Sequence, residues 1–177
     1  IEHTNAHDAM ADVRATIGIA RIIKDTQPKF FNYALSLNDK KEVAQLVKPL
    51  HPMLLTSSSF GYKSSFTRLV TSICNHPEYN DRSIVFNLNQ DPEIFLELES
   101  EELKTLTFSK KSDLPKGIEK LDLSELVYNK SPMFVCSPNS DNLKLSPILI
   151  EKFELNLDKC LKNLRFIQQN KQAIEDK

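Results

Sequence analysis

The side chains best suited to chemistry stand near the start of the chain, where His7 and Asp12 are five residues apart just ahead of an apolar helical pattern. Five residues turn an α-helix through about 500°, so the two side chains would point about 140° apart if both lay on regular helix. They converge only if His7 lies in the lead-in loop and Asp12 on the first helical turns. That arrangement suits a site in which Asp12 binds a divalent cation and His7 removes a proton from a metal-bound water.

The His-Asp pair also has plainer explanations. Pairs at this spacing are common by chance, and a histidine at a helix start is often only a cap. The doublet His7-Asp8 is also found in HD-type phosphohydrolases. Those enzymes need a second histidine and a distant aspartate in an all-helical domain, whereas the sequence that follows here is rich in strand-like runs.

The pattern of the chain predicts the helices that would position this pair. Apolar residues at helical spacing predict a helix over roughly 8–25, closed by Pro28. Two shorter helical patterns fill 28–47, with a break near Asn38. A helix pair is predicted over 92–108, and an amphipathic helical tail runs from Ser146 to Lys177.

Short runs rich in β-branched residues predict five strands between these helices. Three come in series and suggest an antiparallel meander or a small barrel; the five runs are MLLTSSS, RLVTSIC, SIVFNLN, KLDLSELV and PMFVCS. The fold class expected from the whole is therefore α+β.

Composition removes several classes of function. The chain has 23 Lys and Arg against 24 Asp and Glu, so any nucleic-acid binding must come from local clusters of charge. Three glycines are too few for a phosphate-cradling loop. The three cysteines show no metal-site spacing and predict reduced thiols. Without a long apolar run or a signal-like start, we expect no membrane association and a cytoplasmic protein. Because the first residue is Ile1, we expect a piece of a longer protein.

The stretch HDAMADV resembles the HxxxxD motif that closes the nuclease domain of DEDDh-type 3′→5′ exonucleases, in the form typical of exonuclease I. The resemblance continues over nearly the whole chain through successive landmarks. These are Ser59-Phe60-Gly61, His76-Pro77-Glu78, Ile84-Val85-Phe86-Asn87-Leu88, Lys111-Ser112-Asp113-Leu114, Asn129-Lys130-x-Pro132 and Cys160-Leu161-x-Asn163-Leu164.

The resemblance implies an organisation in three parts. Residues 1–27 would end an RNase H-like DEDDh nuclease domain, 28–154 would form an SH3-like β-barrel domain with helical additions, and 155–177 would start a C-terminal helical region. The implied activity is release of nucleoside 5′-monophosphates from the 3′ end of single-stranded DNA, in DNA repair and recombination.

The resemblance also implies roles for the first residues. Asp12 would be a ligand of a two-metal Mg²⁺ centre, His7 the general base, and Asn5 a neighbour of the scissile nucleotide. The family's other acidic ligands lie upstream of this segment, so we expect the 177 residues alone to be inactive.

A groove for single strands needs cations for phosphates and aromatic faces for bases. The candidates are Lys40, Lys63, Arg68, Lys111 and Lys130, with Phe60, Tyr62 or Phe66 for stacking and Asp81 in a loop that the resemblance places against DNA. Phe60 is as well suited to the core as to stacking. A plain turn between strands explains His76-Pro77 and Asn80-Asp81 as well as a DNA-facing loop does.

The expected partners are single-stranded DNA and single-strand-binding protein, with a monomeric chain. The segment 137–157 differs from the family where basic residues would dock that protein, although Lys144, Lys159 and Arg165 offer replacements. The second hypothesis is a non-catalytic nucleic-acid or protein-binding module whose HxxxxD stretch is a remnant.

Overall fold

Three helices precede the first strand in the computed structural model, which describes residues 9–117, 119–136 and 145–177. They are α1 (Ala9–Thr26), α2 (Pro28–Ser36) and α3 (Lys40–Leu46). Pro28 stands at the start of α2, where its missing N–H has no partner to lose. The carboxylate of Asp39 caps α3 by accepting the N–H of Lys41 at 2.8 Å. The predicted long helix and the break near Asn38 are confirmed.

The five predicted strands form one antiparallel sheet. The strands are β1 (Pro52–Thr56), β2 (Thr67–Asn75), β3 (Arg82–Asn87), β4 (Leu123–Val127) and β5 (Met133–Cys136). Their order is β4-β3-β2-β1-β5, so β1 to β4 make a meander and β5 returns beside β1. The first strand is shorter than its sequence pattern, because the Ser57 hydroxyl accepts the N–H of Ser59 and starts a 3₁₀ turn at Ser58–Phe60.

Helices fill the remaining connections. The predicted pair over 92–108 is α4 (Ile94–Glu97) and α5 (Ser100–Phe108), and the helical tail contains α6 (Pro147–Lys152), α7 (Leu157–Gln169) and α8 (Lys171–Glu175). Short 3₁₀ turns occur at Lys111–Asp113 and Tyr128–Lys130. In the described part of the chain no helix is both long and apolar enough to cross a membrane.

Both faces of the sheet are buried under apolar side chains. On one face, Leu69 and Phe86 belong to a core that also takes in α4, α5, α7 and α8. The ring of Phe95 on α4 meets that of Phe86 edge-on, with centroids 5.1 Å apart. On the other face, Val70 and Val85 belong to a second core closed by α3 and the two 3₁₀ segments that carry Phe60 and Tyr128.

A buried asparagine joins the C-terminal helices to the sheet. Asn163 on α7 is only 4% exposed, and its side-chain amide donates to the carbonyl oxygens of Leu88 at 2.9 Å and Gln90 at 2.7 Å. Those carbonyls belong to the segment that leaves β3, where the ladder no longer pairs them. One side chain thus satisfies two backbone acceptors and fixes α7 against the end of the strand.

We expect Asn163→Ala to lower the free energy of unfolding by about 1–3 kcal/mol, because two carbonyls in a buried setting lose their donor. Urea denaturation followed by circular dichroism measures this. The neighbouring exposed Lys162 gives the control, and Lys162→Ala should leave the midpoint nearly unchanged. Equal stability of the two variants would contradict an anchoring role for Asn163.

Candidate nucleic-acid interface

Asp12 lies in the first turns of α1, as the sequence predicts. The Thr16 hydroxyl donates to its backbone carbonyl at 2.8 Å. His7 and Asn5 lie outside the described residues, so their roles stay predictions. The described residues contain no group of three or more His, Cys, Asp or Glu side chains able to hold a metal ion. One carboxylate does not complete a two-metal centre, so these residues by themselves do not fit one.

The helix that carries Asp12 exposes apolar side chains on more than one side. Met10, Val13 and Ile17 recur at helical spacing, while Ile19 and Ile22 point in other directions, and all five are exposed. No described residue of α1 is buried, although the helix packs against α2. A helix that is apolar around much of its circumference is stable when further protein covers it.

Lys40, Lys130 and Asp81 come together at one end of the sheet. Lys40 begins α3, and α3 packs against the 3₁₀ turn that ends at Lys130. The Ser131 hydroxyl donates to Asn38 Oδ1 at 2.5 Å and ties the two segments together. Lys40 is also close enough to Asp81 for its charge to favour the ionised carboxylate. Three segments that are distant in sequence thus place two exposed lysines beside the turn that joins β2 to β3.

The carboxylate of Asp81 is occupied within the protein. It accepts hydrogen bonds from Arg82 Nε at 3.0 Å and from Asn129 Nδ2 at 3.2 Å, and its backbone carbonyl accepts the N–H of Tyr128 at 2.8 Å. The hydrogen bond from Arg82 is the main reason why the pKa of Asp81 lies below its ordinary value. Asp81 therefore positions the turn beneath the two lysines, and direct contact with DNA remains a prediction.

His76 and Tyr79 make further contacts within the turn that joins β2 to β3. His76 Nδ1 accepts the backbone N–H groups of Glu78 and Tyr79 at 3.1 and 3.3 Å, and its ring centroid lies 4.8 Å from that of Tyr79 with an angle of 52° between the planes. The guanidinium of Arg82 lies 4.3 Å from the Tyr79 ring centroid and donates to Glu125 on β4 at 2.7 Å. The sequence predicts a turn here but gives no sign of the ion pair that closes this network, since Arg82 and Glu125 are 43 positions apart.

At the other end of β2, Phe60 and Arg68 are engaged with each other. Phe60 is 7% exposed and belongs to the second core, and the Arg68 guanidinium lies 4.5 Å from its ring centroid. Arg68 also donates to the carboxylate of Asp122. In the loop between β1 and β2, Lys63 is exposed together with Tyr62 and Phe66. Of the three aromatic candidates, Tyr62 and Phe66 are therefore the two that a base can reach.

The predicted DNA contacts fall into separate groups and not into one patch. The loop with Lys63 and the turn near Lys40 and Lys130 lie at opposite ends of the nine-residue β2, roughly 30 Å apart at strand geometry. Lys111 lies in the connection from α5 to β4. A ligand that touches all of them must be extended.

Comparison with known proteins gives a consistent family. The sequence model of the Exonuclease I SH3-like domain matches residues 38–177. The chain is 34% identical to Exodeoxyribonuclease I of Escherichia coli K12 over 99% of its own length and 36% of that protein.

Solved structures agree with the sequence match. The zinc-bound form of an E. coli ExoI–ssDNA complex superimposes with a TM-score of 0.87 and 32% identity, over 99% of this chain and 37% of that one. An ExoI/SSB-Ct complex gives a TM-score of 0.83 and 30% identity, over 99% and 36%. The chain thus spans about a third of the length of the relatives that it matches.

We expect the stability difference between wild type and Asp81→Asn to depend on pH. The lowered pKa of Asp81 means that the ionised carboxylate stabilises the fold above its ordinary value of 3.8, and that this contribution disappears as pH falls through the lower folded-state pKa. Thermal unfolding from pH 7 down to pH 2.5 tests it. The unfolding midpoints of the two proteins should differ at neutral pH and become equal at acidic pH. A difference that stays constant over this range would show that the charge of Asp81 is not what holds the turn.

Proposed function

The chain belongs to the exonuclease I family, and we propose that it is part of a 3′→5′ exodeoxyribonuclease that degrades single-stranded DNA to nucleoside 5′-monophosphates in DNA repair and recombination. The observation that carries this proposal is the HDAMADV stretch, whose last five residues begin α1, in a chain that matches Exodeoxyribonuclease I over 99% of its length. The 177 residues alone, with one of the required carboxylates, are proposed to be inactive.

We propose that α1 is the last helix of the RNase H-like nuclease domain, within residues 1–27. Its exposed apolar side chains on several sides support this, since the remainder of that domain would cover them. Residues 28–154 are proposed as the SH3-like domain with its helical insertions, and 155–177 as the start of a C-terminal helical region that packs on its sheet and is included in the matching family model. The protein is proposed to act as a monomer.

The proposed cofactor is Mg²⁺, held by Asp12 together with carboxylates from outside this segment. A carboxylate oxygen is the hard donor that Mg²⁺ prefers, and an E. coli relative has been solved with zinc. His7 would take the proton from the attacking water, and Asn5 would lie near the scissile nucleotide. His7 precedes α1 in the sequence, and the expected lead-in loop would suit a base that must reach a substrate that enters and leaves.

We propose that Lys40, Lys63, Lys111 and Lys130 contact phosphates of single-stranded DNA. Lys40, Lys63 and Lys130 are exposed, and their separation along the fold fits an extended strand better than a compact ligand. Single-strand-binding protein is proposed as a second partner, with exposed Lys159 and Arg165 on α7 as candidate contacts. The relative solved in complex with SSB-Ct supports this choice.

The decisive assay is Mg²⁺-dependent release of mononucleotides from a labelled single-stranded oligonucleotide by the full-length protein. We expect His7→Ala and Asp12→Ala each to reduce the rate by at least about 100-fold, the lower end of what a positioned acid–base group contributes. Asp8→Ala, next to the motif histidine, is the matched control and should retain activity. An inactive full-length protein that still binds single strands would favour the alternative, a non-catalytic binding module.

The phosphate contacts have a separate signature in salt dependence. Replacing Lys40, Lys63 or Lys130 by Gln should weaken binding to single strands and reduce the slope of log affinity against log salt by about 0.7 for each lost contact. Lys104, which pairs with Glu101 at 2.6 Å on α5, provides the control. Fluorescence anisotropy in 50–300 mM salt with a chelator measures both quantities. If a variant of Lys40, Lys63 or Lys130 has the same slope as Lys104→Gln, the replaced lysine does not contact a phosphate.

A further inference from the structure

The loop from Ser57 to Phe66, here called the aromatic loop, presents two aromatic rings to solvent. Tyr62 is 85% exposed and Phe66 is 41% exposed. Their centroids are 6.3 Å apart, with an angle of 80° between the ring planes. Phe30, Tyr79 and Phe108 are exposed as well, but Tyr62 and Phe66 lie together in one loop and offer two rings to a single ligand.

The backbone of the aromatic loop holds this pair in place. Gly61, Ser65 and Phe66 all have positive φ angles, of 78°, 49° and 58°. The N–H of Phe66 donates to the Gly61 carbonyl at 3.0 Å, and the N–H of Ser65 donates to the Tyr62 carbonyl at 2.9 Å. A bulky aromatic residue rarely adopts a left-handed conformation, and it persists where the surroundings determine it.

The base of the aromatic loop is anchored in the fold. Phe60 is buried in the second core under Arg68, and the Ser57 N–H donates to the Phe66 carbonyl at 2.9 Å. The exposure of Tyr62 is therefore a property of a fixed loop and not of a loose segment. A loop backbone that is fixed before binding lowers the conformational entropy lost when a ligand stacks on a ring that the loop carries.

The chemistry around the rings favours a polyanion. The aromatic loop contains Lys63 and five serines and no carboxylate. The Ser65 hydroxyl reaches the backbone carbonyl of Lys152 at 3.5 Å, which brings the end of α6 against the loop. A planar aromatic face beside a cation and several hydroxyl groups matches the alternation of base and phosphate in a single-stranded nucleic acid.

We propose that Tyr62 is a stacking platform for one base of a single strand, with Phe66 supporting its ring and Lys63 contacting the adjacent phosphate. This proposal rests on the proposed function, because the single strand that it names is the DNA on which the enzyme acts. Stacking needs the π face of a base and no hydrogen-bonding edge, so the platform accepts all four bases.

The test is an abasic scan in the absence of divalent cations, with the full-length protein. A series of oligonucleotides carries one abasic site, moved one position at a time along the strand. We expect one position at which the abasic site weakens wild-type binding by roughly 5- to 100-fold. Tyr62→Ala should bind the intact strand with that same loss and should be insensitive to the abasic site at that position only.

Two further variants separate stacking from loop structure. Tyr62→Phe keeps the π face and should behave as wild type, whereas Tyr62→Leu keeps an apolar side chain without it and should behave as Tyr62→Ala. A thermal unfolding midpoint equal to that of wild type verifies that each variant is folded. If Tyr62→Ala keeps full affinity, or keeps the wild-type sensitivity at every position of the scan, the platform is disproved.

The outcome is independent of catalysis. Binding is measured without metal, so a protein that fails the nuclease assay can still show the position-specific loss of affinity. That result would support the stacking role of Tyr62 and contradict the proposed nuclease activity. If the protein is an active nuclease but Tyr62→Ala changes the effect of the abasic site at no position, the nuclease activity is supported and the stacking role of Tyr62 is disproved. Binding of a protein partner at the aromatic loop would likewise leave the abasic scan unchanged by Tyr62→Ala and would count against the proposal.

Discussion

The burial of both faces of the sheet is the constraint on which the rest of this structure depends. Neighbouring residues of β2 and β3 enter opposite cores, as Leu69 with Val70 and Phe86 with Val85 show. An antiparallel sheet commonly leaves one face to solvent, and that face then serves as a binding surface. Here helices and 3₁₀ segments cover much of both faces, although a pocket lined by Ile73, Ile84 and Leu123 remains beside α5. The charged and aromatic candidates for nucleic-acid contacts lie in the loops at the two ends of β2 and on the helices around them.

The two ends of β2 are built on the same principle. At one end Arg68 lies over Phe60 and bonds Asp122; at the other Arg82 lies over Tyr79 and bonds Glu125. Each guanidinium thus joins an aromatic ring to a carboxylate of the β4 region, a task that suits its planar, always charged group. The exposed lysines are left outside these contacts, on flexible stems that can follow a phosphate backbone. At both ends of β2 the arginines thus stabilise the loops, while Lys40, Lys63 and Lys130 are exposed.

The sequence predicts the elements of this fold better than it predicts the site. Runs of β-branched residues and the break near Asn38 are local signals, and strands and helices follow them closely. The accessible aromatic residues are not a local property. Phe60 and Tyr62 stand two positions apart in one loop, yet one enters a core and the other is exposed, because Arg68, Asp122 and the 3₁₀ geometry determine which ring turns inward. Likewise Asp81 shares its carboxylate with Asn129, a partner 48 residues away that no spacing rule indicates.

Helix α1 differs from the sheet in how its apolar side chains are covered. The sheet closes its own cores, whereas α1, which carries Asp12, leaves its apolar side chains for another surface. Only Gln27 separates α1 from α2, and its carbonyl accepts the N–H of Phe31, so the connection is short and hydrogen-bonded. Helix α2 is in turn fixed to the sheet, because the Tyr33 hydroxyl donates to the Phe134 carbonyl on β5 at 2.6 Å. The helix that bears Asp12 is therefore connected through α2 to the sheet, whose loops carry the proposed contacts to a single strand.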